Sequence, residues 1–157
     1  MNTNIANSPV TNLDLAHQAP HSPRARIAGF CIAARTADKS RATTAGSAGE
    51  FHFDCPLDNL LFSFKGITAE QFKTAAQGAG NYADLGVWLL AHGQAKTPAE
   101  ITAWSDQMEA FNPSQDPAKA AYFIGNCKKL GLKPEATTMF DMLEADDRAT
   151  FSGRPVR

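Results

Sequence analysis

The feature that most constrains this 157-residue chain is its helix punctuation. Thr68-Ala69-Glu70-Gln71 reads as a capping box, in which the threonine hydroxyl accepts from the third amide and the glutamine reaches back to the cap. Thr97-Pro98-Ala99-Glu100 combines a cap, a proline at the first helical position and an acid at the third. Pro56 opens a short segment through Phe64 that Gly66 closes, and Asn81 with Asp84 opens YADLGVWLLAH, which stops at Gly93. Asp116-Pro117 repeats the start signal for AKAAYFIGNCKKL, ended by Gly131, and Pro134 opens EATTMFDMLEADDRATF. Upstream, residues 31–45 contain neither Gly nor Pro, are rich in Ala and meet Gly46 as a C-cap, which predicts a further helix. Ile101, Trp104, Met108 and Phe111 recur at spacings of three and four and line one helical face. Only FHF at 51–53 hints at a period of two. The expected fold is therefore all-α, a compact orthogonal bundle of about six or seven short helices with at most a minimal strand near residues 51–53.

The length suits one domain, and no internal repeat divides it. Residues 1–22 scatter a few apolar side chains among Asn, Ser, Thr, Pro and His, too few to offset the entropy of ordering the backbone, and read as a flexible N-terminal arm before a single helical domain at 23–157. Fifteen Lys plus Arg balance sixteen Asp plus Glu, so no global field recruits nucleic acid or an anionic membrane. Cys31, Cys55 and Cys127 are odd in number and widely spaced, which fits reduced thiols. With no signal-peptide pattern and no long apolar run, the expected location is the cytoplasm. A homodimer is compatible with the sequence.

Charge is gathered in one place. Between positions 24 and 41, five cations (Arg24, Arg26, Arg35, Lys39, Arg41) face one anion, Asp38, a local balance of +4. On a helix Arg35, Asp38 and Lys39 lie three and four apart and share a side. Such a cluster can be a pocket in which Arg forks a carboxylate or phosphate and Lys donates a proton. It can equally be neutralised from within. Glu135, Asp141, Glu144, Asp146 and Asp147 form an acidic stretch near the C-terminus that would dock on it.

A second constellation, Glu50, His52, Asp54, Cys55 and Asp58, occupies a non-periodic segment between predicted helices. His52-x-x-Cys55 has metal-ligand spacing, but no second pair completes a site, so no metal is expected. Cys55 at a helix start is a conceivable nucleophile beside the helix dipole, against the plainer reading of an inert thiol. Phosphate loops, dinucleotide fingerprints, nucleophile elbows and zinc-protease motifs are absent from the sequence, which removes the common nucleotide and hydrolase templates.

The stretches SPRARIAGF, ARTADKSRATTAGSAGEFHFDCPLD and FSFKGI resemble the opening half of the bacterial family called domain of unknown function 5069. The pattern falls on Pro23, Arg24, Gly29, Arg35, Asp38, Lys39, Arg41, Ala42, Gly46, Gly49, Glu50, Cys55, Pro56, Leu57, Asp58 and Gly66, clearly over residues 22–90 and loosely beyond. Phe51 stands where the pattern has Tyr, which removes a hydroxyl, and Ala34 where Pro often precedes the Arg. The resemblance implies a small helical fold and a shared polar cluster, not a reaction.

The expectation that follows is a small cytosolic enzyme of lyase, isomerase or hydrolase type, without a cofactor, acting on a small anionic or polarised organic molecule. Arg35 and Arg41, with Arg24, would hold the anionic group, and Lys39 or Asp38 would transfer a proton. Glu50 with Asp58 would orient them or act as base, with His52 and Cys55 as further candidates. The alternative is a non-catalytic helical interaction or regulatory module whose charge cluster is structural.

Overall fold

The structure, a computed structural model, describes residues 5–152. It is organised around helix α1 (Ala33–Ala45), because every residue from Cys31 to Ser40 is buried. Ala33, Ala34, Ala37 and Ala42 have no exposed surface, and such small side chains let neighbouring elements approach the helix closely on several sides. Gly46 ends it in the left-handed conformation expected of a C-cap, at φ 76°.

The other helices are α2 (Pro56–Lys65), α3 (Ala69–Gly78), α4 (Tyr82–Ala91), α5 (Pro98–Ala110), α6 (Ala120–Lys129) and α7 (Met139–Thr150), with 3-10 turns at Pro113–Gln115 and Pro134–Ala136; α2 and α3 pack on α1, and α6 packs on α7 and the two turns. At α3 and α5 the caps are those the sequence specifies. Thr68 Oγ1 accepts from Gln71 N at 3.1 Å while Gln71 Oε1 accepts from Thr68 N at 2.9 Å. Thr97 and Glu100 exchange the same pair at 3.1 and 3.0 Å. The core gathers Phe30, Phe62, Phe72, Leu85, Leu89 and Ile101, and Phe64 stacks on Trp104 at 4.7 Å. No helix among the described residues is long and apolar enough to cross a membrane.

Two expectations are corrected. The segment predicted as one helix from Pro134 is a 3-10 turn followed by α7, because Thr138 and Asp141 form a capping box of their own: Thr138 Oγ1 accepts from Asp141 N at 3.1 Å, and the Asp141 carboxylate accepts from Thr138 N at 3.0 Å. Residues 51–53 form no strand, within the expected limit of a minimal one at most: Phe51 stacks on Phe151 at 6.2 Å and Phe53 packs edge-on to Phe62 at 6.0 Å. Residues 5–22 are a strap rather than a free arm, while residues 1–4 and 153–157 lie outside the described residues.

Ile5, Val10, Leu13, Leu15 and Ala19 of the strap are buried. Few apolar side chains suffice here because the other elements have already built the surface they dock on, and the strap's backbone is bonded to it. Leu15 N donates to Ser47 O at 2.9 Å, and Ala83 N donates to Ala6 O at 2.8 Å. Gly49 makes this approach feasible: its φ is 57°, and a Cβ there would stand 2.7 Å from Leu15 O. Gly49→Ala should therefore cost about 1–2 kcal/mol for the left-handed backbone alone, with more from the collision. Urea unfolding checks the cost, and faster proteolysis within residues 5–22 checks that the strap is what loosens.

Candidate functional site

The buried charges of α1 are each taken up by a different part of the protein. Arg35 Nη1 donates to Asp147 Oδ2 of α7 at 2.7 Å and to His21 O at 3.3 Å, and its guanidinium lies 5.4 Å from the Phe51 ring. Asp38 Oδ2 accepts from His21 N at 2.8 Å and contacts His21 Nδ1 at 2.7 Å, while Oδ1 accepts from the Tyr82 hydroxyl of α4. Arg41 donates to Asn12 Oδ1 at 3.1 Å and to the carbonyls of Ala76 and Gln77 at the end of α3, at 3.0 and 3.1 Å. Arg24 pairs with Asp141 and, at 3.1 Å, with Glu144; Ser22 Oγ donates to Glu144 at 2.6 Å. Arg26 pairs with Asp106 and Glu109 of α5 at 2.8 and 3.1 Å. The four arginines of the cluster are thus met by carboxylates of α5 and α7 and helix-end carbonyls of α3.

Lys39 differs in what it points at. Its ammonium lies 2.9 Å from Asp58 Oδ1 and donates to Cys55 Sγ at 3.2 Å. Asp58, wholly buried, organises the group: Oδ1 also accepts from Thr36 Oγ1 at 2.7 Å, and Oδ2 accepts from the backbone N–H of Asp54 at 2.9 Å and of Cys55 at 3.3 Å. The sequence makes this arrangement locally. Asp58 is the third residue of α2, placed to cap its start, and Asp54 takes φ 64°, a left-handed conformation that Asp tolerates and that turns the chain into the helix. Cys55 becomes the N-cap, with the positive end of α2 on one side and the Lys39 ammonium on the other.

Cys55 also forms part of the wall of a cavity of about 450 Å³. The rest of the wall is mostly apolar: Pro56, Leu57 and Leu60 from α2, Pro113, then Tyr122 and Phe123 of α6 and Met139, Met142 and Leu143 of α7, with Lys119 the charged residue among them. Such a mixture of apolar wall and a few directed polar groups is typical of small-molecule sites. The other two thiols are unlike Cys55. Cys31 is wholly buried and burial pushes its thiol up to about 12, and burial also raises Cys127, whereas Cys55 is half-buried.

Of the residues the sequence singled out, Lys39, Asp58 and Cys55 are brought together. Asp38 belongs to a separate buried network with His21 and Tyr82. Arg35, Arg41 and Arg24 are engaged by the protein's own groups, and none of them lines this cavity. Glu50 and His52 are exposed and take no part in the Lys39–Asp58–Cys55 group. No group of three or more potential ligands capable of holding a metal occurs among the described residues. Thr36, His21, Tyr82 and the α6–α7 wall were not anticipated. Thr36 was the most legible of these, since it sits one turn before Lys39 on the same helix.

A family model described as Domain of unknown function (DUF5069) matches residues 17–149, so it takes in the α1 charges, the Cys55 segment and the cavity. No curated protein matches the chain.

Proposed function

Since the chain belongs to the Domain of unknown function (DUF5069) family, whose description carries no activity, we propose a function from its own geometry: a small cofactor-independent enzyme that attacks a polarised organic molecule with the Cys55 thiol. The observation that carries this is the 3.2 Å contact between Lys39 Nζ and the one half-buried cysteine, on the wall of a 450 Å³ apolar cavity. Substrate would enter with its apolar body against Leu57, Leu60, Met139 and Leu143, its electrophilic carbon at Cys55 Sγ. The sulfur forms a bond to that carbon as the leaving group departs. Lys39, a proton donor beside the reacting atom, protonates the departing group and is recharged by the proton the thiol gives up; water then cleaves the carbon–sulfur bond, its hydroxyl going to carbon and its proton to sulfur. Asp58 is a positioning residue, because its two oxygens are already occupied by Lys39, Thr36 and two backbone amides. Lys119 offers the cation for a substrate's anionic end, a role the internally paired arginines cannot take. The cytoplasm, a reducing compartment, suits three free thiols.

Iodoacetamide near pH 8 should alkylate Cys55 alone in the folded protein, since Cys31 and Cys127 are wholly buried and burial raises both thiols, Cys31 to about 12. Peptide mass mapping checks this. Turnover is tested by release of nitrophenolate from activated aryl esters and of halide from haloaromatics. Cys55→Ser should lower any turnover at least about a hundred-fold, and equal turnover in wild type and Cys55→Ser would sink the proposal.

The alternative, a non-catalytic module with a structural charge cluster, is favoured by the internal pairing of Arg24, Arg35 and Arg41. In that case the cavity holds an apolar group of a partner, and ligands should raise the melting temperature of wild type and Cys55→Ser alike.

A further inference from the structure

One carboxylate fixes both partners of an unusual pair. Asp58 Oδ1 holds the Lys39 ammonium at 2.9 Å, and Asp58 Oδ2 accepts from the Cys55 backbone at 3.3 Å, so Nζ and Sγ face each other at 3.2 Å with little freedom to separate. Lys39 is buried at 3 % exposure, while Cys55 is half-buried and lines the cavity, the route by which a small oxidant would reach it. Neither of the other cysteines combines these conditions, since both are buried. Groups held in such proximity react as if at very high local concentration.

We propose that Lys39 and Cys55 are a modification site, at which a peroxide converts the pair into a covalent, thiol-reversible S–N cross-link. The inference rests on the reading of Cys55 as a thiol open to the cavity. In the first step the Cys55 sulfur attacks the peroxide, the O–O bond breaks, and sulfur takes one oxygen as a sulfenic acid while the other leaves as water; sulfur is oxidised by two electrons and the peroxide reduced by two. In the second, Lys39 passes a proton to Asp58, and the freed nitrogen lone pair attacks sulfur as the S–O bond breaks. The departing hydroxide takes a second proton from nitrogen and leaves as water, and Asp58 returns its proton to solvent. The product is a sulfenamide, lighter than the starting chain by two hydrogen atoms. Sulfenic acids are known to condense with nearby nitrogen in this way, and condensation competes with further oxidation to sulfinic acid. The four-carbon lysine stem supplies the small shortening from contact to bond.

The full chain is treated with hydrogen peroxide and analysed by intact and tandem mass spectrometry, beside Cys55→Ser and Lys39→Arg. The expected result is loss of two hydrogens, a peptide pair joined through Lys39 and Cys55, restoration by dithiothreitol, and loss of the link in both variants. Should Lys39→Arg fail to fold, Cys55→Ser supplies the control. Iodoacetamide labelling of untreated protein separates the two failures. If Cys55 is labelled but peroxide yields only its sulfinic acid or a disulfide, with Lys39 unmodified, the cross-link is overturned and the open thiol stands. If Cys55 is neither labelled nor oxidised, both fall.

Discussion

Arg35→Ala should lower the free energy of unfolding by about 3–5 kcal/mol, because it strands the Asp147 carboxylate in the interior without its cation. The pair lies at 2.7 Å with side chains 5 % and 3 % exposed, and it joins α1 to α7 across 112 residues. A loss of that size is a large fraction of a typical domain's total of about 5–15 kcal/mol, so the variant should show a much reduced urea midpoint, or no folded baseline. Two comparisons make the result specific. Arg24→Ala removes pairs to Asp141 and Glu144, 44 % and 23 % exposed, from an arginine itself 24 % exposed, and should cost no more than about 2 kcal/mol. Replacing both partners, as Arg35→Met with Asp147→Leu, should recover much of the loss, because two apolar side chains leave no buried charge behind. If Arg35→Ala proves as mild as Arg24→Ala, the guanidinium is not the interior anchor described here.

How much of this could be read from the chain follows from the distance over which each interaction acts. Caps are written within four residues, so Thr68, Thr97 and Gly46 announce helix ends before any tertiary contact is known, and the fold class follows from counting them. Thr138 is the instructive lapse. Its capping box was as legible as the others, but the proline four residues earlier offered an equally local signal, and only the packing of the 3-10 turn decides between them. The charge cluster was legible as a cluster and its docking on the acidic C-terminal stretch as one of two outcomes. Which cation would keep a reactive neighbour was not. Asp38 finds His21 and Tyr82, 17 and 44 residues away, and no periodicity marks those pairings. Lys39 reaches Cys55 only because Asp58 folds back over the start of α2, a capping event that is itself local. The cavity was invisible for a related reason: its walls come from α2, α6 and α7, whose apolar positions read as ordinary core until they are seen to leave space. The strap was misjudged because composition counts apolar residues without knowing that each finds a prepared groove.

Asp58→Asn should also cost about 3–5 kcal/mol near neutral pH. The amide preserves the shape of the carboxylate but not its charge, so the Lys39 ammonium, 3 % exposed, is left in the interior without a counter-ion. Lys39→Met in the same background removes the stranded cation, and the double variant should recover much of the loss, because no buried charge then remains unpaired. Urea unfolding of the two variants checks this. The iodoacetamide rate at Cys55 provides a second readout that a purely structural role for Asp58 would not move in the same way. Without the carboxylate that holds Nζ at 2.9 Å, the cation is no longer fixed beside the sulfur, so alkylation of the folded variant should slow although the thiol is no less exposed. A mild cost with an unchanged alkylation rate would mean that Lys39 finds another partner when Asp58 is neutral, and that the carboxylate is not what aims the amine at Cys55.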